Sequence, residues 1–280
     1  MQIAVASGKG GTGKTLLSTC IMKVLAEYNP VLIDADVEEP NAGLILMPQA
    51  PETTGVNRIV PEIDPQKCTL CGKCADICKF NALVVLTDKV LVFNELCHSC
   101  GACAYLCPEA AIKEKDHHIG VIEEAKIPGY GTLLTGRLTV GEAQSPPLIK
   151  ATKSRKKEAA LRIIDCPPGT TCAMIEAIRG SDYCLLVTEP TPFGLHDLEL
   201  SLQAMGLVGI PGGLVINRWQ GQDQGLVALS NRTGVPILAR IPFSSELARA
   251  YMQGRDPLEA MPALRSILTD IISRIKEAVS

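Results

Sequence analysis

A glycine-rich segment near the start of the chain has the residue types and spacing that bind phosphate. Residues 7–15 read Ser-Gly-Lys-Gly-Gly-Thr-Gly-Lys-Thr and join an apolar run, residues 3–6, to a helical pattern. In such a loop the backbone N–H groups converge on a triphosphate, and the N-terminus of the following helix adds a positive field. We expect Lys14 to reach the β- and γ-phosphates and the Thr15 hydroxyl to bind Mg²⁺. The predicted phosphate-binding residues are Gly10, Gly11, Thr12, Gly13, Lys14 and Thr15.

Eight of the twelve cysteines form two groups with the same internal spacing. The groups are Cys68, Cys71, Cys74 and Cys78, and then Cys97, Cys100, Cys103 and Cys107. Each cysteine of the first group has a counterpart 29 residues later, so a small unit is repeated. The spacing is that of bacterial two-cluster ferredoxins, in which the fourth cysteine of each run binds the other cluster. Zinc also binds Cys-x2-Cys pairs, but two complete four-cysteine runs favour iron–sulfur clusters.

The sequence therefore predicts two [4Fe–4S] clusters whose ligands cross between the two runs. The first cluster is assigned to Cys68, Cys71, Cys74 and Cys107, and the second to Cys97, Cys100, Cys103 and Cys78. Lys79 follows the first run, where such ferredoxins usually have proline. This departure removes no ligand.

Acidic residues follow two further apolar runs. Asp34 and Asp36 end the run that begins at Pro30, and Asp165 ends the run that begins at Ala160. Ligands of open parallel sheets bind at the carboxyl ends of the strands, so these carboxylates are expected to face the nucleotide. The alternative for paired acids after a strand is a helix cap or a solvated turn. The phosphate-binding loop upstream favours the functional interpretation.

The loop Gly-Lys-Gly-Gly-Thr-Gly-Lys-Thr carries a second lysine, Lys9, and here the chain resembles the deviant Walker A ATPases. This superfamily includes MinD, ParA, the Mrp-type iron–sulfur carriers and the nitrogenase iron protein. The resemblance implies that Lys9 crosses a dimer interface to the nucleotide of the partner. It also implies that residues 33–41 are switch I, in which Asp36 positions or deprotonates the attacking water and Asp34 lies near Mg²⁺.

The same resemblance assigns residues in the second half of the chain. Asp165 would be the Walker B residue that holds Mg²⁺ through water. The motif Asp-x-Pro-Pro-Gly that it begins resembles switch II, where the amide of Gly169 faces the γ-phosphate. Asn217 stands where the family binds adenine, and Arg218 and Pro242 are expected beside the base.

These motifs predict an α/β fold, a P-loop NTPase with a mainly parallel sheet, plus an inserted α+β bacterial ferredoxin-like domain. The predicted boundaries are 1–59 for the first part of the ATPase domain, 60–118 for the insert and 119–280 for the second part. The segment 48–64 interrupts the α/β pattern because it is rich in proline and turn residues. The glycine-punctuated segment 120–147 is expected to form one or two strands that wrap back onto the ATPase body.

Composition restricts the class of protein further. A chain of 280 residues with 46% hydrophobic content buries a large core, and a net charge of −3 argues against nucleic acid as a partner. No signal peptide or apolar run of membrane-spanning length is present, so we expect a cytoplasmic protein. The apolar stripe between Leu264 and Ile275 is expected to pack on the domain instead of anchoring it to a membrane. Cys20 and Cys184 are expected to be buried.

The predicted protein is a Mg²⁺-ATP-dependent, dimerising ATPase that couples ATP binding and hydrolysis to electron transfer with a redox partner protein. The dimer is either a homodimer or a heterodimer with a related ATPase. Two alternatives stay open. One is a MinD-like or ParA-like positioning ATPase whose clusters are structural or sense redox state, and the other is a scaffold that assembles and transfers clusters. The Cys-x-x-Cys pair of the Mrp-type carriers has no counterpart after Cys184.

Overall fold

Short apolar runs form the strands of the main sheet, and most of them are buried on both faces. The computed structural model of the protein describes residues 1–279. The strands are β1 (Gln2–Ala6), β2 (Val31–Asp34), β3 (Glu52–Ile63), β4 (Leu83–Val85), β5 (Val90–Val92), β6 (Ile112–Ile127), β7 (Gly131–Leu138), β8 (Arg162–Asp165), β9 (Tyr183–Thr188), β10 (Gly212–Trp219) and β11 (Ile237–Pro242).

Helices connect these strands and supply the layers that cover the sheet. The helices are α1 (Lys14–Val24), α2 (Ala42–Leu46), α3 (Lys73–Ile77), α4 (Ala102–Tyr105), α5 (Pro146–Lys153), α6 (Cys172–Ile178), α7 (Pro192–Val208), α8 (Gln224–Thr233), α9 (Ser245–Met252), α10 (Pro257–Ala260) and α11 (Ala263–Val279). None of the helices within residues 1–279 has both the length and the apolar composition needed to cross a bilayer.

The main sheet has nine strands in the order β11-β10-β9-β1-β8-β2-β7-β6-β3. The strands from β11 to β7 run parallel, whereas β6 and β3 are added antiparallel at one edge. Because β1 lies between β8 and β9, the loop after β1 opens at the centre of the carboxyl edge of the parallel strands. The prediction of an α/β fold with a mainly parallel sheet is confirmed.

Alternate residues of the central strands face two separate cores. Ile3 and Val5 of β1 pack on one side with α1 and α11, and Ala4 and Ala6 pack on the other side with α5 to α8. This alternation is the two-residue period of an extended strand. The apolar stripe of α11 is buried at Leu264, Leu268, Ile271, Ile272 and Ile275, so the prediction of a packed terminal helix is confirmed. Cys20 and Cys184 are also buried, as predicted.

Strands β3 and β6 form a long antiparallel ribbon that leaves the main sheet and carries the cysteine-rich segment at its far end. The expected interruption over 48–64 is therefore mostly strand. Pro61 is tolerated in it because β3 is the edge strand. Opposite Val56 and Asn57 the ribbon has a bulge, at which Ile119 of β6 has no partner on β3. The predicted boundaries at 59/60 and 118/119 fall within this ribbon, close to the bulge.

The cysteine-rich segment repeats its backbone conformation as well as its sequence. Each unit has one short helix, α3 or α4, and the two-stranded sheet β4–β5 lies between them in the chain. Positive φ angles recur after 29 residues at Leu70 and Ser99, at Gly72 and Gly101, and at Asn81 and Ala110. The predicted internal repeat is confirmed, since conformations that L-residues rarely adopt recur at matching positions.

Candidate nucleotide and cluster sites

The glycine-rich loop joins β1 to α1 and lies against the end of β10. Gly11 and Gly13 have φ angles of 77° and 97°, which favour glycine. A Cβ atom on Gly13 would lie 2.5 Å from Nδ2 of Asn217. That same Nδ2 donates a hydrogen bond of 2.7 Å to the carbonyl of Thr12. The side chain of Asn217 therefore holds the loop in shape from the inside.

A cavity of about 470 Å³ opens beside this loop, and it is large enough for a nucleotide. The cavity is lined by most of the residues predicted at the nucleotide site, namely Gly10, Gly11, Gly13, Lys14, Thr15, Asp36, Asn217, Arg218 and Pro242. Its far wall is formed by Phe243, directly after Pro242, and by Leu247, Ala248, Tyr251 and Met252. Sequence reasoning did not single out the last four. These four residues belong to α9, and no local motif marks them.

Three residues predicted to contact nucleotide or a partner lie elsewhere in this conformation. The hydroxyl of Thr12 is buried and has no hydrogen-bond partner within residues 1–279. The amide of Gly169 donates to the carbonyl of Ser7 at 3.1 Å instead of facing the cavity. Lys9 forms an ion pair of 3.1 Å with Glu189, which also pairs with Arg218 at 2.8 Å. Glu189 was missed by sequence reasoning because it is distant in sequence from Lys9.

Lys14 is the buried cation of the site. Its Nζ donates to Oγ of Ser7 at 3.0 Å, and the residue is only 7% exposed. Burial lowers the pKa of Lys14 below its usual value, while Asp165 and Asp36 act in the opposite direction. An anion in the cavity would stabilise the protonated form, so the site is suited to phosphate groups.

Asp165 has the arrangement expected of a residue near a divalent cation. It ends β8, is 1% exposed, and accepts a hydrogen bond of 3.1 Å from Ser18 through Oδ1. Its Oδ2 is buried without a hydrogen-bond partner in the described chain. Burial raises the pKa of Asp165. A cation beside Thr15 would satisfy the orphaned oxygen and favour the carboxylate, so the donor set fits Mg²⁺.

Asp34 and Asp36 have different surroundings although they are two residues apart. Asp34 is 0% exposed, and its two oxygens accept from the amides of Ala42, at 2.9 Å, and Asp36, at 3.2 Å. It thus shapes the segment that was predicted to be switch I. Asp36 lines the cavity, and burial raises its pKa to about 6. Of the two carboxylates, Asp36 is the one placed to meet a ligand.

The eight clustered cysteines surround two cavities, and each cavity draws on both runs. One is lined by Cys68, Cys71, Cys74 and Cys107, and the other by Cys78, Cys97, Cys100 and Cys103. These are the two crossed sets assigned from the spacing. Within residues 1–279, no group of three or more His, Cys, Asp or Glu side chains converges closely enough to hold a single metal ion. The thiols surround spaces instead of meeting at one point.

Backbone amides point at the sulfurs, as an anionic cluster requires. Cys78 and Cys107 accept at 3.3 Å from the amides of Ala82 and Ala111, and these two hydrogen bonds are again 29 residues apart. Cys97 accepts from Ser99 at 3.4 Å. The four-thiol sets and their N–H donors fit [4Fe–4S] clusters, although ligation itself stays a prediction.

A parallel sheet with a glycine-rich loop between its central strand and the next helix defines a P-loop nucleotide-binding protein. Residues 3–258 match the family described as the CobQ/CobB/MinD/ParA nucleotide binding domain. The chain belongs to this family.

Similar proteins cover both parts of the molecule. An uncharacterized protein of Methanocaldococcus jannaschii, MJ0579, is 31% identical over 271 residues, which are 92% of each chain. A second protein of that organism, the uncharacterized ferredoxin MJ0722, is 39% identical over 54 residues, 18% of this chain and 70% of its own. The cell division ATPase MinD of Pyrococcus furiosus has the same fold, with a TM-score of 0.60, 19% identity and coverage of 99% and 98%.

Proposed function

We propose that this protein is a Mg²⁺-ATP-dependent, dimerising ATPase that carries two [4Fe–4S] clusters and couples its ATP cycle to electron transfer with a partner protein. The observation that carries the proposal is the pair of crossed four-cysteine cavities in a chain that also has a complete phosphate-binding loop. The likeness to a ferredoxin over 54 residues supports the redox half, and membership of the nucleotide-binding family supports the ATP half.

The chemistry on ATP would consist mainly of positioning and charge neutralisation. Lys14 and the loop amides hold the phosphates, and Asp36 orients a water molecule at the γ-phosphate. Thr15 and Asp165 would hold Mg²⁺, which neutralises phosphate charge when it is bound. Since the amide of Gly169 is now bonded to Ser7, it must release that carbonyl before it can contact the γ-phosphate.

Asp36→Asn is expected to retain ATP and to slow hydrolysis by about 100-fold or more, because an amide cannot accept a proton from water. Phosphate release and ATP binding measured on the same preparation would separate the two effects. Glu27→Gln is the matched control, since Glu27 is an exposed acid that lies outside the switch segment and does not line the cavity. Phosphate release by Asp36→Asn at the wild-type rate would remove Asp36 from the mechanism.

The proposed dimer uses the face that carries Lys9. The side chain of Lys9 is 32% exposed, and its only ion pair within residues 1–279 is with Glu189. In the proposed dimer, Lys9 would leave Glu189 and contact a phosphate of the nucleotide bound to the partner subunit. The same exchange in the partner would complete the second nucleotide site. Either a second copy of this chain or a related ATPase could supply the opposite face.

The clusters would exchange one electron at a time with a partner protein when they are bound. The decisive experiment is an anaerobic redox titration of the iron-loaded protein with ADP, with ATP, and with ATP in the Asp36→Asn variant. A coupling free energy of 1 to 2 kcal/mol is common, and for one electron it corresponds to roughly 40 to 90 mV. We expect a shift of this size in at least one cluster potential, or a matching change in transfer rate to the partner.

The same preparation distinguishes the alternatives. Equal potentials and equal transfer rates in all nucleotide states would favour the positioning ATPase, with the clusters as structural or sensing groups. Transfer of intact clusters to an apo-protein would favour the assembly scaffold. Stable clusters that are reduced and oxidised reversibly would count against a scaffold.

A further inference from the structure

The end of β7 contacts both the nucleotide switch and the base of the cysteine-rich ribbon. The amide of Leu138 donates to the carbonyl of Val37 at 2.8 Å, and the next amide, of Thr139, donates to the carbonyl of Ile119 at 3.0 Å. Val37 directly follows Asp36. Ile119 is the unpaired residue of the bulge at which the ribbon leaves the main sheet. Two consecutive backbone amides thus connect the switch segment at Val37 to the base of the ribbon at Ile119.

The contact between β7 and the switch is tight. A Cβ atom on Gly136 would lie 2.5 Å from Cγ1 of Val37 and 2.8 Å from Oγ1 of Thr152. The Val37 side chain is 1% exposed and belongs to the core. A displacement of the switch backbone at Val37 therefore requires a movement of the β7 end or a loss of packing.

Glu142 lies just beyond this end of β7 and anchors a buried ion-pair network. Its amide donates to the carbonyl of Thr139 at 3.1 Å. Its carboxylate forms an ion pair with Arg58 at 3.2 Å and a hydrogen bond with Nε2 of His117 at 2.5 Å. Arg58 and His117 face each other across the ribbon, immediately outside the bulge. The side chains of Arg58 and Glu142 are 4% and 10% exposed, so water screens the attraction between their charges only weakly.

Arg58 connects this network to the second cluster cavity. Its guanidinium donates to the carbonyl of Cys97 and, at 2.7 Å, to that of Asn94. Gln144 adds a hydrogen bond of 3.3 Å to the carbonyl of Cys97. In the described part of the chain, no hydrogen bond joins residues 139–145 to the cysteines that line the first cavity. The segment after β7 is therefore connected to one cavity and not to the other.

We propose that Glu142 is a positioning residue that transmits the state of the switch at Asp36, through Arg58, to the cluster held by Cys78, Cys97, Cys100 and Cys103. This cluster, and not the one held by Cys68, Cys71, Cys74 and Cys107, then responds to the nucleotide. The inference rests on the proposed function, because it assigns the coupling to one cluster and one connection.

The physical reason is the charge that Arg58 places beside Cys97. A reduced cluster carries one more negative charge than an oxidised one, so a nearby guanidinium favours reduction. Glu142 partly neutralises that guanidinium and sets its position. When the β7 end moves, the separation of the two charges changes, and with it the field at the cluster.

Glu142→Gln tests the connection, because the amide keeps the size of the side chain and removes its charge. We expect iron content and ATP binding to match wild type. The wild-type protein should show a difference between ADP and ATP in the second cluster alone, about tenfold in the reduction equilibrium, or about 59 mV. In Glu142→Gln this difference should disappear. Lys115→Gln is the matched control. It breaks an exposed ion pair with Glu62 between β6 and β3, the two strands of the ribbon.

Hydrogen exchange of the amides 94–97, measured with ADP and with ATP, supplies a readout that does not depend on electron transfer. We expect the nucleotide to change this exchange in wild type and not in Glu142→Gln. If Glu142→Gln fails to bind iron, Glu142→Asp replaces it, because the shorter side chain keeps the charge but withdraws the carboxylate from Arg58. The nucleotide-dependent difference should be lost in this variant as well.

The possible failures are distinguishable. A nucleotide effect that persists in Glu142→Gln, or one confined to the first cluster, overturns this inference and leaves the proposed function standing. Equal cluster potentials and transfer rates in wild type with every nucleotide overturn the proposed coupling. If the exchange at 94–97 nevertheless depends on Glu142 and on nucleotide, the mechanical connection stands without the redox role.

Discussion

Lys14→Ala is expected to weaken ATP binding by roughly 30- to 5,000-fold, because truncation of a buried, hydrogen-bonded charge costs about 2 to 5 kcal/mol. Lys14 is 7% exposed, and the charges of Asp165 and Asp36 both act on its pKa. Titration of the protein with ATP, followed by calorimetry or by a fluorescent analogue, measures the loss directly.

The control for this variant is Lys23→Gln, which lies on the same helix α1. Lys23 pairs with Asp256 at 3.2 Å and does not line the cavity, so its removal should leave ATP affinity close to that of wild type. Wild-type affinity in Lys14→Ala would show that the loop amides alone bind the nucleotide. That result would remove Lys14 from the site.

Cys78→Ala is expected to damage the cluster held by Cys97, Cys100 and Cys103 and to leave the other cluster in place. Wild-type protein with two four-iron clusters contains about eight irons and eight sulfides. We therefore expect a loss of up to about half of the iron in this variant. Iron and sulfide analysis, with EPR spectra of the reduced protein, identifies which cluster is affected.

The complementary variant is Cys107→Ala, which should damage the cluster of Cys68, Cys71 and Cys74 instead. Cys172→Ala serves as the control, because Cys172 is an exposed free cysteine outside the insert. If Cys78→Ala changes the signals of the Cys68 set only, the ligands do not cross between the runs. Zinc in place of iron in wild-type protein would replace the cluster assignment altogether.

Two ion pairs in the structure join residues that lie far apart in the sequence. Lys9 and Glu189 form an ion pair although 180 residues separate them, and Arg58 and Glu142 do so across 84 residues. Neither acid belongs to a local motif. Their partners depend on the order of the strands in the sheet, which local patterns do not specify.

The exposure of His117 could not be predicted from its neighbours in the sequence. From the sequence alone, the adjacent pair His117 and His118 predicts two surface residues, because neighbouring side chains on a strand point apart and do not share a metal site. His118 is exposed, but His117 faces Glu142 and is only 26% exposed in its side chain. The segment that covers it comes from beyond β7.

The sequence by itself determined the chemistry that can take place at each short motif. The order of residues 7–15 specifies a phosphate-binding loop, since backbone amides and a lysine must follow one another directly. The 29-residue repeat likewise specifies two matching four-cysteine units, and the shared positive φ angles show that spacing and backbone conformation correspond. The phosphate-binding loop and the acids after two further apolar runs, with the family resemblance that they carry, were enough to predict a mainly parallel sheet.

Only the tertiary structure decided how these parts are connected. The long ribbon of β3 and β6, with a proline on an edge strand, was not visible in a segment rich in turn residues. The wall of the nucleotide cavity, the pairing of Lys9 with Glu189 and the route from Val37 through Glu142 to Cys97 all follow from strand order. The physical reason is that ion pairs and packing depend on distances in space, whereas motifs record only neighbours along the chain.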